Sequence, residues 1–209
     1  MDLYQGLLLI TSIHLLSAAM PGPDFVLVSQ QTLSNGKRAG LLCSFGIALG
    51  LSIHIIYSSL GLAAVIANSA SAIWAIKLLG GSYLIYLGIN GLMSKARNLE
   101  VISISPVAKR SAAKTIGMGF LCNALNPKTS IYFVSLFTIV LSQDTPAQHL
   151  LIYGLWMMVL QLAWFCFLTL LLSRPAVTSK FQRMGHWIDR IAGGAMLLLG
   201  IKVLASRTS

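Results

Sequence analysis

Acidic side chains are nearly missing from this chain: Asp2, Asp24, Glu100, Asp144 and Asp189 are the only five in 209 residues, and charges of both signs make up 10% of the sequence. A soluble domain carries roughly a quarter charged residues to hydrate its surface. No such surface can be built here, which excludes a water-facing globule. Hydrophobic residues reach 56% and mean hydropathy is +0.79, so the outside must face lipid.

Cysteine is scarce too. Cys43, Cys122 and Cys166 are odd in number, lie in apolar stretches and form no CxxC or His-spaced pattern, so neither a disulfide framework nor a thiolate metal site is indicated. They read as small packing residues. A basic leader is also missing ahead of the first apolar run, although Ser17-Ala18-Ala19 mimics a cleavage site; that run is expected to remain as an uncleaved span.

What the chain does have is positive charge, +10 net, and its placement decides its meaning. Lys37 and Arg38 fill one loop, Lys95, Arg97, Lys109, Arg110 and Lys114 fill or border a second, and Arg174, Lys180 and Arg183 fill a third. Apolar runs separate these groups. That is the positive-inside pattern of a polytopic membrane protein and not a nucleic-acid footprint.

About 20 largely apolar residues cross a bilayer as a helix, and the chain divides into six such stretches, near 3–33, 40–66, 72–93, 115–141, 148–173 and 187–205. The connectors at 67–71 and 142–147 contain no Lys or Arg. Loops one, three and five are therefore expected in the cytoplasm and both termini outside. The polar stretch at 94–113 divides the chain into halves, residues 1–105 with a cytoplasmic linker and residues 106–209.

The halves repeat. Trp74-Ala75-Ile76-Lys77-Leu78-Leu79-Gly80-Gly81 lies over Trp187-Ile188-Asp189-Arg190-Ile191-Ala192-Gly193-Gly194, and Gly88 matches Gly200 after a one-residue slip. Leu42 to Gly46 resembles Leu150 to Gly154, and Pro23 and Asp24 fall over Pro127 and Lys128. Three spans per half is an odd number, so the second copy must be inverted in the membrane. The expected fold is an all-α membrane protein of six transmembrane helices, arranged as two inverted three-helix repeats, a design common in secondary transporters.

Two elements interrupt corresponding spans: Pro21-Gly22-Pro23-Asp24 and Asn126-Pro127-Lys128. Proline deletes a backbone donor and frees the carbonyl one turn earlier, and lipid cannot satisfy freed backbone groups, so such breaks belong beside protein or a water-filled cavity. Gly22 lets another group approach the chain closely. Asp24 is the only acid in the first span and Lys128 the only base inside the fourth. An ionised side chain within a span costs roughly 2.5 to 3.5 kcal/mol unless paired or hydrated. Asp24 and Lys128 together complement an ammonium-carboxylate zwitterion; alternatively they pair with each other as a structural ion pair, or Asp24 exchanges a proton to drive transport.

His54 and Gln161, near the middle of spans two and five, are candidates to line the same site; His14 is a weaker one, and for a lone histidine interhelical packing is the plainer role. Asn123 and Asn126 can satisfy backbone freed by Pro127 or offer amides to a ligand, Asn126 being preferred. Lys77 and Arg190, near the outer ends of spans three and six, read as snorkelling residues. Gly46 and Gly50 mark close helix packing, compatible with a homodimer.

Met20-Pro21-Gly22-Pro23-Asp24-Phe25 in the first span, Asn126-Pro127-Lys128 opening the second half, the length and the six spans resemble the LysE/RhtB family of bacterial amino-acid exporters across essentially the whole chain. That resemblance implies efflux of amino acids such as threonine, homoserine or lysine across the bacterial inner membrane, driven by protons, with no cofactor. Two rivals share the architecture. A thiol carrier requires reactive cysteines at the breaks in both halves, and neither break holds one; a metal exporter requires clustered ligands, and none is visible. No nucleophile, base and orienting group share a helix face, so a non-enzyme transporter is expected.

Overall fold

The computed structural model describes residues 2–20, 22–68, 70–94, 111–140 and 146–205. Pro21, the boundary between halves, the basic residues Lys95, Arg97, Lys109 and Arg110, and most of the connector at 142–147 lie outside them, as do the side chains of Trp74, Lys77, Pro127 and Asp189. Every regular element among the described residues is a helix: α1 (Leu3–Ala19), α2 (Pro23–Asn35), α3 (Lys37–Asn68), α4 (Ala70–Leu92), α5 (Ala112–Ala124), α6 (Pro127–Val140), α7 (Ala147–Leu172) and α8 (Pro175–Ala205).

The breaks fall where the prolines demand them. Pro23 takes the first position of α2, where its missing N–H costs no hydrogen bond. The axes of α1 and α2 meet at 61°. Pro127 opens α6 in the same way, and Asn126 caps it, its Oδ1 accepting from Lys128 N at 3.0 Å. Gly36, at φ 83°, turns the chain from α2 into α3, a conformation that a side chain would strain. Each proline element thus stands between two helices, α1 and α2 in one case and α5 and α6 in the other.

Pro175 opens α8 well before the expected start near 187. Lys180 and Arg183, assigned to a loop by their charge, belong to this helix, because proline at a first position favours helix and charge does not oppose it. The helices α3 and α7 are each long and apolar enough to cross a membrane, over Lys37–Ser59 and Gln148–Leu172, and the bent pair α1 and α2 qualifies as a third span. The pieces α5 and α6, 13 and 14 residues long, are each short of a crossing alone, and the apolar part of α8 is the shorter stretch Gly193–Ala205.

The helices are packed with apolar residues outward and many polar ones inward. On α3, Phe45, Leu49, Ile53 and Ile56 form an exposed stripe, whereas Ser44, His54 and Ser58 are buried. On α7, Leu151, Leu155 and Val159 are exposed while Gln161 and Thr169 are buried. This inverts the soluble pattern and suits a membrane protein. Two apolar clusters form inside, one including Ile10, Ile13, Leu84, Tyr132 and Met196, the other Phe25, Val28, Ile47, Phe165 and Leu168.

Glycines bring backbones together at two seams. A methyl group on Gly46 would strike Ile116 O, one on Gly50 would lie 2.6 Å from Phe120 O, and one on Gly119 would strike Cys43 O. The Gly46 and Gly50 face is therefore taken up by α5 of the same chain. Between α4 and α8, Gly200 faces Gly81 O at 2.8 Å and Gly193 faces Gly88 O at 2.7 Å, measured from an added methyl. The pairing is antiparallel.

Candidate functional site

Each break places the first turn of one helix against the last turn of a helix from the other half. Asp24, in the first turn of α2, accepts a hydrogen bond at Oδ2 from Asn123 Nδ2 at 2.7 Å, and the Cys122 thiol lies 3.5 Å from Oδ1; both partners are in the last turn of α5. Lys128, in the first turn of α6, donates from Nζ to Met20 O at 3.0 Å and Ser17 O at 3.2 Å, carbonyls at the end of α1.

The charges suit these positions. The positive end of the α2 dipole lies at Asp24, and the unsatisfied carbonyls at the end of α1 receive the Lys128 ammonium. Gly22 makes the second contact reachable, because a Cβ there would come within 3.3 Å of Lys128 Nζ. The Asp24 carboxylate and the Lys128 ammonium are close enough to interact electrostatically.

A chain of hydrogen bonds stands behind Asp24. His54 Nε2 lies 2.7 Å from Asn123 O, and since a carbonyl only accepts, the imidazole proton is on Nε2. Nδ1 of the neutral ring then accepts from the Tyr57 hydroxyl at 2.9 Å. His54 is fully buried and stacks on Phe133. It fixes the end of α5 that carries Asn123 and is not part of the cavity wall.

Between the two apolar clusters lies a cavity of about 30 Å³. Of the residues singled out from sequence, Gly22, Asp24, Asn126, Lys128 and Gln161 line it. Pro23 is exposed at the start of α2, Pro127 opens α6, and Pro21 lies outside the described residues. Of the two histidines, His14, the weaker candidate from sequence, lines this cavity and His54 does not. Ser17, Thr129 and Tyr132 also contribute, with Phe25, Phe133 and Phe165 among the apolar walls. Helical spacing was the signal for these: Ser17 is one turn beyond His14, and Tyr132 one turn beyond Lys128.

The cysteines sit on three helices, Cys43 buried on α3, Cys122 on α5 and Cys166 on α7. Among the described residues, no group of three or more His, Cys, Asp or Glu is placed to hold a metal ion. Arg190 donates from Nε to Ser94 O at 3.3 Å and lies over the Trp187 ring, which holds it at the end of α4.

A family model described as LysE type translocator matches residues 15–207. The chain is similar to the threonine efflux protein of Salmonella typhi, 28% identical over 201 residues that cover 95% of this chain and 97% of that one. It is also similar to the threonine efflux protein of Escherichia coli K12, 29% identical over 205 residues, covering 96% and 98%. An uncharacterized membrane protein of Bacillus subtilis, YrhP, is 31% identical over 208 residues, covering 95% and 98%. No solved structure matches.

Proposed function

Since the chain belongs to the LysE type translocator family, we propose that it is a secondary active exporter of amino acids, coupled to protons, in the bacterial inner membrane. One observation carries this reading: a carboxylate from the first half and an ammonium from the second line one cavity at two helix breaks. A zwitterionic amino acid needs both charges, its ammonium held by Asp24 and its carboxylate by Lys128 at the positive end of α6. The names of the threonine efflux relatives favour an amino acid as cargo.

The cavity has room for about two waters, so cargo enters when helices part. Each charge is held by groups that a solute can replace: Asn123 for Asp24, and the Ser17 and Met20 carbonyls for Lys128. Asp24, hydrogen-bonded and buried between the halves, is the candidate proton carrier.

We read the eight helices as six spans in two inverted repeats, with α1 and α2 forming one span and α5 and α6 another. Contacts related by exchange of the halves support this: α3 packs on α5 as α7 packs on α1, and α2 touches α5 as α6 touches α1. The pair Gly81 and Gly200 likewise exchanges with the pair Gly193 and Gly88, which aligns Gly81 with Gly193 and moves the one-residue slip to between the tryptophans and these glycines. Loop charge places loops one, three and five in the cytoplasm and both termini in the periplasm. The seam of Gly46 with α5 leaves any homodimer to another surface.

The test is efflux from cells or vesicles loaded with a panel of amino acids, with and without this protein, and with and without an imposed pH gradient. Specific efflux that quickens when the receiving side is acid supports the reading. Efflux of none of the panel overturns it.

A further inference from the structure

Three helices leave the cavity with the same order of residues. Along α2 the order is Asp24 at the cavity, then Phe25 and Val28, then Thr32; along α7 it is Gln161, then Phe165 and Leu168, then Thr169. Helix α3, read backwards, has Leu51 at the cavity, then Ile47, then Ser44 and Cys43. Thr32 is eight residues beyond Asp24, and Thr169 eight beyond Gln161, which is about 12 Å along a helix. Exposed Lys37, Arg38 and Arg174 follow, at the ends that loop charge puts in the cytoplasm. Phe25 and Phe165 both line the cavity and belong to the apolar cluster beyond it, so a dry plug separates the charged site from the hydroxyls.

Those hydroxyls converge but scarcely bond to one another. Thr32 donates to Val28 O at 2.7 Å and Ser44 to Gly40 O at 2.8 Å, each within its own helix. Thr169 Oγ1, fully buried, lies 3.5 Å from Thr32 Oγ1 and 3.4 Å from Ser44 Oγ, beyond the usual length of an O–H···O bond, and its single proton can serve only one of them. Ser29, fully buried one turn before Thr32, has a hydroxyl with no partner within 3.5 Å. A contact that stays dry would be served better by methyl groups, because a hydroxyl is costly to bury unless it is bonded. Gly36 joins α2 to α3, so the seam that can part runs between α7 and this pair, and parting it breaks no strong bond.

We propose that this seam is the route by which cargo enters from the cytoplasm, with Phe25 and Phe165 as its inner plug and Thr32, Ser44 and Thr169 as a lining that binds water once α7 and the pair separate. The assignment rests on the exporter reading and adds a path to its site. Asp24 is in the first turn of α2, so a shift of α2 that opens the path also moves the carboxylate that holds the cargo's ammonium.

Thr169→Val keeps the shape of the side chain and removes the hydroxyl that the open path wets. It should leave the thermal unfolding temperature in detergent unchanged or raised and slow export by about three- to tenfold, the worth of one hydrogen bond, while Thr169→Ser should retain most export. Unchanged export in the valine variant, or a lowered unfolding temperature, overturns the proposal, since a hydroxyl that only holds the helices together gives those results. Sidedness is read with Thr169→Cys: a membrane-impermeant maleimide should modify it in inside-out vesicles and not in intact cells, above the level set by the three native cysteines. Ser44→Cys carries this measurement if the first variant fails to reach the membrane. Modification from neither face in an active variant, or from the periplasmic face alone, overturns the route. Efflux of no amino acid by the intact protein instead overturns the exporter reading, and the labelling still decides whether the seam opens to the cytoplasm.

Discussion

The Asn123 side chain holds the Asp24 carboxylate at 2.7 Å, joining the end of α5 in the second half to the start of α2 in the first. Lys128 makes the reciprocal link, from the start of α6 to the end of α1. The site is therefore built from two crossings between halves, and each has its own expected failure.

Asp24→Asn keeps the shape and an acceptor oxygen but removes the negative charge. Export is expected to fall to background at unchanged membrane level, measured as efflux from cells with matched amounts of both forms. Unchanged efflux would show that the carboxylate serves neither substrate nor proton.

Lys128→Met should abolish export and also lower stability, because the Ser17 and Met20 carbonyls lose a charged donor worth about 1.5 to 3 kcal/mol per bond. Lys128→Arg should retain more stability than activity. Thermal unfolding of the purified protein in detergent, beside efflux, separates the two effects.

Asn123→Ala releases Asp24 while leaving the backbone carbonyl that His54 binds. The expected result is export reduced by about tenfold or more with nearly normal membrane level, since one hydrogen bond to a charged group is lost. An activity equal to the intact protein would mean that Asp24 does not need this tether.

Replacing Cys43, Cys122 and Cys166 together with serine should leave most export in place. Loss of all transport in the triple variant, at normal membrane level, would favour electron or thiol transfer over solute export.

The breaks were legible in the sequence because proline and glycine act on their own backbone, so Pro23 and Pro127 mark helix starts whatever surrounds them. Asp24 and Lys128 were legible because a charge in an apolar run needs a reason to be there. Which histidine faces the cavity was not legible. In α1 and α3 apolar residues occupy both the lipid face and much of the inner face, so the sequence carries little periodic contrast to orient His14 or His54. The partner of Gly46 and Gly50 was hidden for a related reason: small residues announce a close approach but not which helix makes it.

The seam between α4 and α8 is made of main chain meeting main chain, with Gly81 against Gly200 and Gly88 against Gly193. Leu204 closes on Gly81 and Ile85 on Gly200 beside these main-chain contacts, so little slack is left for one helix to roll over the other. These two helices should travel as one rigid spine, leaving the stroke of the transport cycle to the short, broken helices that hold Asp24 and Lys128.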